Sequence, residues 1–176
     1  MRWPLRVVLA AGVCAAGVGH AASASRPTHL TRYGVTFAVP EGWQLTLGRI
    51  NGVVDPVTVF TLSTFRVQPS QTSKGLCSRA LQHAWRPDGA YVQLAEERDG
   101  ASRKRMLRRV RQRPRHFRLD AHGAGGLCTP PDSGEIAFKQ GRRAFYIFYG
   151  FGRKASPNTR ADARALLDGL RIAPRQ

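Results

Sequence analysis

The sequence lacks the motifs that mark common catalytic and metal-binding sites. No serine has the Gly-x-Ser-x-Gly context of a hydrolase nucleophile, since Ser78 lies in LCSRA and Ser133 in PDSGE. There is no Cys-x-x-Cys or His-x-x-x-His pair to bind a metal. The glycines of residues 122–126 are not followed by the helical pattern of a phosphate-binding loop. We therefore predict a protein that is not an enzyme and that holds no metal or cofactor.

The alternative is an enzyme that uses Cys77 or a histidine. Cys77 could pair with His83, His116 or His122. Cys77 and His83 are six positions apart, which is about 240° around a helix, so these two side chains do not share a face. The sequence cannot show whether the other pairs meet in space.

Cysteine is scarce, with three in the chain, and only Cys77 and Cys128 lie beyond the N-terminal segment. Two cysteines in an exported chain predict one disulfide. This bond would close a loop of about 50 residues and contribute on the order of 4 kcal/mol in the chain-entropy view. A catalytic thiol or a metal site would instead leave one or both cysteines free.

No hydrophobic run is long enough to span a bilayer. The longest, residues 7–19, has thirteen residues, against the roughly 20 that a transmembrane helix needs. It follows Arg2 and Arg6 and precedes Ala22-Ser23-Ala24, whose small residues suit signal peptidase. We predict a signal peptide over residues 1–24, with cleavage after Ala24 and Ala21 as second choice. The mature protein is then secreted or extracytoplasmic.

Acidic residues are also few, 11 against 28 Lys and Arg, for a formal net charge of +17. Loss of residues 1–24 lowers this charge to +15, and residues 103–118 alone supply +9 without a single acidic residue. The basicity is therefore local. Arginine provides 24 of the basic residues, which favours bidentate contacts with phosphate or carboxylate, although a GC-rich genome would give the same bias.

The mature chain, residues 25–176, has the pattern of a single α+β domain. Alternating apolar residues predict strands near residues 33–39, 44–47, 53–67, 90–95, 117–119, 135–139 and 143–151. The last two are close enough to form a hairpin. Helical spacing predicts a short helix near 76–84 and a final helix that begins at Ser156, with Pro157 at its first position. We predict an α+β fold of mainly antiparallel β-sheet flanked by helices, in one domain.

Two groups of side chains could form a catalytic or ligand-binding site, but we interpret both as structural. The carboxylates at the end of one strand are interpreted as a solvated turn: Glu96, Glu97 and Asp99. The aromatic strand places Phe145, Tyr149 and Phe151 on one face and Tyr146 and Phe148 on the other. We interpret it as a central strand covered by helices on both faces, in preference to a ligand pocket.

The stretches FAVPEGWQL (residues 37–45) and RADARALLDGLRI (residues 160–172) resemble the PsbP-like α/β/α sandwich superfamily, in particular its small exported bacterial members. The segments RPDGAYVQLAE and residues 141–172 further resemble uncharacterised exported actinobacterial proteins. The resemblance implies an antiparallel sheet with helices on its faces. It implies a binding or assembly module without enzymatic activity. No photosystem role follows, because the matching motifs are strand and helix ends.

The stretch SRKRMLRRVRQRPRHFRL, residues 102–119, departs from that family pattern. As a helix it would carry a narrow apolar stripe of Met106, Leu107 and Val110, ended by Pro114, as in basic segments that lie on anionic membranes. As a strand it would line one face with arginines that cannot be buried, which makes it an exposed edge or an extended arm. We predict a basic loop or arm over residues 102–116 between two strands.

Three interpretations of this segment compete. It could be a solvated edge, since charge runs usually contact only water; it could capture polyanions of the cell envelope; or it could bind nucleic acid, against which export and the lack of interleaved aromatics argue. We predict a monomeric, exported envelope module whose partners are anionic lipid, wall polymer or an unknown envelope protein. The predicted polyanion-binding residues are Arg103, Lys104, Arg105, Arg108, Arg109, Arg111, Arg113 and Arg115.

Overall fold

The computed structural model describes residues 28–50, 54–69, 79–120 and 132–174. The predicted signal peptide, Cys77, His122 and Cys128 lie outside these ranges. The elements in chain order are β1 (Thr28–Arg32), β2 (Val35–Val39), β3 (Gln44–Thr46), β4 (Val57–Ser63), α1 (Arg79–Ala84), β5 (Ala90–Glu97), α2 (Gly100–Arg109), β6 (Asp132–Gln140), β7 (Arg143–Phe151), α3 (Pro157–Asp168) and β8 (Arg171–Ile172).

The strands form two antiparallel sheets. The larger has the order β3-β4-β5-β7-β6, and the smaller has the order β1-β2-β8. Strands β5 and β7 lie at the centre of the larger sheet and pair over eight residues, from Ala90 opposite Phe151 to Glu97 opposite Ala144. Because both neighbours of each central strand are themselves strands, these two tolerate long apolar runs.

One face of the larger sheet forms the main core. Phe60 of β4, Leu94 of β5 and Ile147 of β7 pack in one cluster with Leu167 of α3 and Phe37 of β2. The rings of Phe37 and Phe60 lie 4.3 Å apart, which joins the two sheets. Each fully buried side chain of this size contributes about 1.5–3 kcal/mol, so this cluster is the main source of stability.

The opposite face is covered at two places by helices. At one end, Leu81 of α1 packs with Phe65 and Tyr91, and the edge of Trp85 lies against both of these rings. At the other end lies α2. Phe138 belongs to the main core, so its neighbour Lys139 faces the other side, where its ammonium donates to the carbonyl of Leu107 at 2.7 Å.

The predicted fold class is therefore confirmed: a single α+β domain of mainly antiparallel sheet flanked by helices. The hairpin is β6 and β7, joined at Gly141 and Arg142. Helix α3 begins as expected, since the hydroxyl of Ser156 accepts the backbone N–H of Thr159 at 3.0 Å.

Three predicted elements differ from the structure. The strand expected over 53–67 is shorter, β4 beginning after Pro56, which has no N–H to donate to a neighbour. Residues 117–119 are not a strand, although both Phe117 and Leu119 are buried. The loop or arm expected over residues 102–116 is instead α2, followed by an extended segment that pairs with the edge of β6.

Candidate functional site

Helix α2 forms because the sequence caps it and packs it. The carboxylate of Asp99 accepts the N–H of Ser102 at 2.8 Å, which satisfies one of the free donors at the helix start. Met106 is buried against the domain, and Leu107 and Val110 are half-buried. The apolar stripe seen in the sequence is therefore used to hold the helix on the sheet.

After α2 the chain continues along the edge of β6. The N–H of Arg113 donates to the carbonyl of Lys139 at 2.8 Å, and the N–H of Lys139 donates to the carbonyl of Arg111 at 2.9 Å. These two bonds form a short parallel bridge centred on Gln112. The segment that the sequence suggested as an exposed edge or an extended arm is thus hydrogen-bonded to the edge of the larger sheet.

Arg113 points inward and caps the C-terminus of α3. Its guanidinium donates to the carbonyls of Leu170 at 2.7 Å, Leu167 at 3.0 Å and Asp168 at 2.9 Å. The last turn of α3 has no basic residue of its own, and a cation is favourable at the negative end of a helix dipole. Arg113, a predicted polyanion ligand, therefore has its donors turned toward the domain.

Asp168 completes this junction. One carboxylate oxygen accepts the N–H of Phe117 at 2.8 Å, and the other lies 3.1 Å from Nδ1 of His116. Phe117 is buried, with its ring edge against Phe138 at 5.5 Å. Both ends of the basic segment are therefore attached to the core, through α2 at the start and Phe117 at the finish.

The remaining cations form an exposed group that we call the basic surface: Lys104, Arg105, Arg108, Arg109, Arg111 and Arg115. All six side chains are exposed, whereas Arg103 is half-buried. Across the ranges 28–50, 54–69, 79–120 and 132–174, the ion pairs involve Arg98, His116, Arg143 and Arg160 but none of these six. The basic surface carries six positive charges that no acidic side chain in those ranges neutralises.

The start of α2 rests on the carboxyl groups of Asp55 and Glu97. Asp55 accepts the N–H groups of Arg98 at 3.1 Å and Asp99 at 2.9 Å, and Glu97 accepts that of Asp99 at 3.2 Å. Glu96 and Glu97 are buried at the end of β5. The expectation of a solvated turn is wrong for these two residues, because β5 extends to Glu97.

The carboxyl groups of Asp55 and Glu97 also interact with each other through a hydrogen bond, and each shifts the pKa of the other. Burial, together with the bond to Asp55 and its charge, raises the pKa of Glu97 to about 7. Burial opposes ionisation of Asp55 as well, but its hydrogen bonds from Glu97, Asp99 and Arg98 outweigh burial and lower its pKa. Below about pH 7 the proton of this pair therefore resides on Glu97.

Glu96 belongs to a buried ion pair with Arg143 that was not predicted from the sequence. The five N–H donors of the Arg143 guanidinium go to both oxygens of Glu96 and to the carbonyls of Tyr33, Gly34 and Ala173. Burial opposes the charge of Glu96, but Arg143 and Arg98 lower its pKa. Arg143 thereby ties β1, β2 and the segment after β8 to the larger sheet.

The aromatic strand is covered fully on one face and partly on the other. Phe145, Tyr149 and Phe151 are buried in the main core. Tyr146 and Phe148 are half-buried and stack on each other at 6.0 Å. The interpretation as a central strand is right for its core face, and its second face lies between α1 and α2.

The alternative of an enzyme that uses Cys77 cannot be placed in the structure, because Cys77, Cys128 and His122 lie outside the described ranges. His83 is exposed at the end of α1, and His116 is exposed beside Asp168. In the part of the chain that the structure describes, no three His, Cys, Asp or Glu side chains gather to hold a metal ion. In that same part, no helix has the length and apolar character needed to cross a membrane.

Comparisons with known proteins do not assign the chain to a family. No family model, curated protein or solved structure matches the chain. The resemblance to the PsbP-like superfamily therefore remains a prediction, which the arrangement of helices on both sheet faces does not contradict.

Proposed function

We propose that this protein is an exported, non-enzymatic binding module of the cell envelope, and that its basic surface contacts anionic partners. The observation that carries the proposal is the set of six exposed cations without an acidic partner in the described part of the chain. Such a surface attracts polyanions and releases their counterions on binding.

The arrangement of charge within α2 supports a binding role. Lys104 and Arg108 are four residues apart, as are Arg105 and Arg109, and each like-charge pair at this spacing costs about 0.2–0.5 kcal/mol of helix stability. A helix that served only to cover the sheet would gain by placing acidic residues at some of these positions. The repulsion is offset when an anion lies on the surface.

The test uses the mature chain and two anionic probes, vesicles that contain phosphatidylglycerol and a soluble anionic wall polymer. The binding variant replaces four residues with glutamine: Lys104, Arg105, Arg108 and Arg109. The matched control replaces four exposed arginines elsewhere, with the same change in net charge: Arg49, Arg66, Arg86 and Arg153. Arg113 is left intact in both, because its neutralisation would disturb α3.

We expect wild type and control to bind at least one probe, with an affinity that falls steeply as salt concentration rises. The binding variant should lose on the order of 100-fold in affinity at low salt. Equal affinity of the binding variant and the control would contradict the proposal, as would the absence of binding to either probe.

A further inference from the structure

No large apolar residue of α2 is exposed in a way that would let it insert into a bilayer. Met106 is buried, Leu107 and Val110 are half-buried, and the carbonyl of Leu107 is bonded to Lys139. The exposed large apolar residues of the described ranges lie elsewhere, at Tyr33, Leu47 and Val54. Helices that lie in membranes bury an apolar face in the lipid, whereas the apolar stripe of α2 packs mainly against the domain.

The backbone that presents the cations is fixed at both ends. Asp55 and the Asp99 cap hold the start of α2. The two bonds between Lys139 and the chain at Arg111 and Arg113 hold the segment after it. A ligand therefore orders only side chains when it binds, which lowers the entropic cost of association.

The cations follow a line. Lys104 and Arg108 point away from Met106, since each residue turns the helix by 100°. From Lys104 to Arg109 the helix rises roughly 7.5 Å, and the chain from Arg109 to Arg115 adds at most roughly 20 Å. The charges are thus spread along a path rather than gathered in one pocket, and five of the six are guanidinium groups, which bind phosphate in a bidentate manner.

We propose that the basic surface binds a linear, phosphate-bearing polymer that lies along α2 and the following segment, and that it does not insert into a bilayer. This inference rests on the proposed function and specifies the partner of the same surface. Successive phosphates of one chain contact successive guanidinium groups, so affinity grows with polymer length up to the length of the path.

The experiment compares three probes at equal phosphate concentration with the mature chain: triphosphate, long-chain inorganic polyphosphate, and phosphatidylglycerol vesicles. We expect tight, salt-dependent binding to the long chain. Binding to triphosphate should be at least about 10-fold weaker, because it reaches only a few of the cations. Vesicles should bind more weakly than the long chain.

Two pairs of substitutions locate the polymer. One replaces Lys104 and Arg108 with glutamine, and the other replaces Arg111 and Arg115. Each neutralised contact reduces the slope of log K against log salt by roughly 0.7–0.9, so each pair should reduce the slope by about 1.5, and the two reductions should add. The variant with substitutions at Arg49 and Arg66 serves as control and should keep the wild-type slope.

The outcomes separate this inference from the proposed function. Vesicle binding that equals or exceeds polyphosphate binding would overturn the polymer inference and leave the anion-binding function standing. Equal affinity for triphosphate and the long chain, or a slope that depends on only one of the two pairs, would also overturn it. Failure to bind any of the three probes would overturn both.

Discussion

The ion pair of Glu96 and Arg143 shows what a sequence reveals about a single residue and what it does not. Glu96 continues the alternation of Val92 and Leu94, so its position on the core face could have been predicted. Its partner could not, because Arg143 lies 47 positions away in the sequence and looks like any other residue of a basic chain. Only the register of β5 against β7 brings the two together.

At the same scale, the proton on Glu97 makes a prediction about stability and pH. The pKa of Glu97 in the folded protein, about 7, lies above its ordinary value of 4.5. Between these values the folded protein holds a proton that the unfolded chain has lost, so this residue makes the free energy of unfolding fall as pH rises through that window. The lowered pKa of Asp55 acts below 3.8, outside the window.

Glu97→Gln keeps a donor for Asp55 but cannot lose a proton. Relative to wild type, the variant should therefore gain stability steadily as pH rises from about 4.5 to about 7. Urea unfolding of both proteins across this range measures the difference. Glu41→Gln, at an exposed turn, is the control and should run parallel to wild type. If Glu97→Gln also ran parallel to wild type, the raised pKa of Glu97 would be refuted.

At the scale of elements, the basic segment shows which causes of its structure are local in sequence and which are distant. The spacing of Met106, Leu107 and Val110 is a local feature, and it was enough to suggest a helix as one of two alternatives, whereas the cap at Asp99 was missed. What decided between helix and arm was distant in sequence: the side chain of Asp55 at one end and that of Lys139 at the other. Charge alone favoured an arm, because a row of arginines cannot be buried.

Arg113 and Arg115 make a matched pair within this element. Arg113→Gln should cost about 1.5–3 kcal/mol of stability, because three carbonyls at the end of α3 lose a charged donor. Arg115→Gln, at an exposed position, should change stability by less than about 0.5 kcal/mol. Thermal and urea unfolding measure both values.

In polyphosphate binding we expect the opposite order of effects, with Arg115→Gln the variant that matters. Arg115→Gln should lower the salt slope by roughly 0.7–0.9, whereas Arg113→Gln should leave the slope of the folded protein unchanged. Equal stabilities of the two variants would show that Arg113 does not cap α3. A reduced slope for Arg113→Gln would show that this guanidinium turns outward to the ligand.

At the scale of the whole molecule, the fold class could be predicted because alternation and helical spacing are repeated over many residues. The candidate site could be predicted only as a composition, nine basic residues in sixteen. The sequence did not show which of them are exposed. Exposure depends on packing between segments far apart, which turns the donors of Arg113 toward the domain, leaves Arg103 half-buried and leaves the other six of the predicted set at the surface.

Export and the disulfide are the last whole-molecule predictions, and one mass measurement tests both. The secreted protein is denatured and alkylated without reductant, then weighed intact. We expect a chain that begins at Ser25 and carries no adduct, because Cys77 and Cys128 are bonded to each other. After reduction it should carry two adducts, and the Cys77→Ser variant should carry one without reduction. Two adducts on unreduced wild type would exclude the disulfide and restore the thiol alternative, while a chain that retains residues 1–24 would refute the signal peptide.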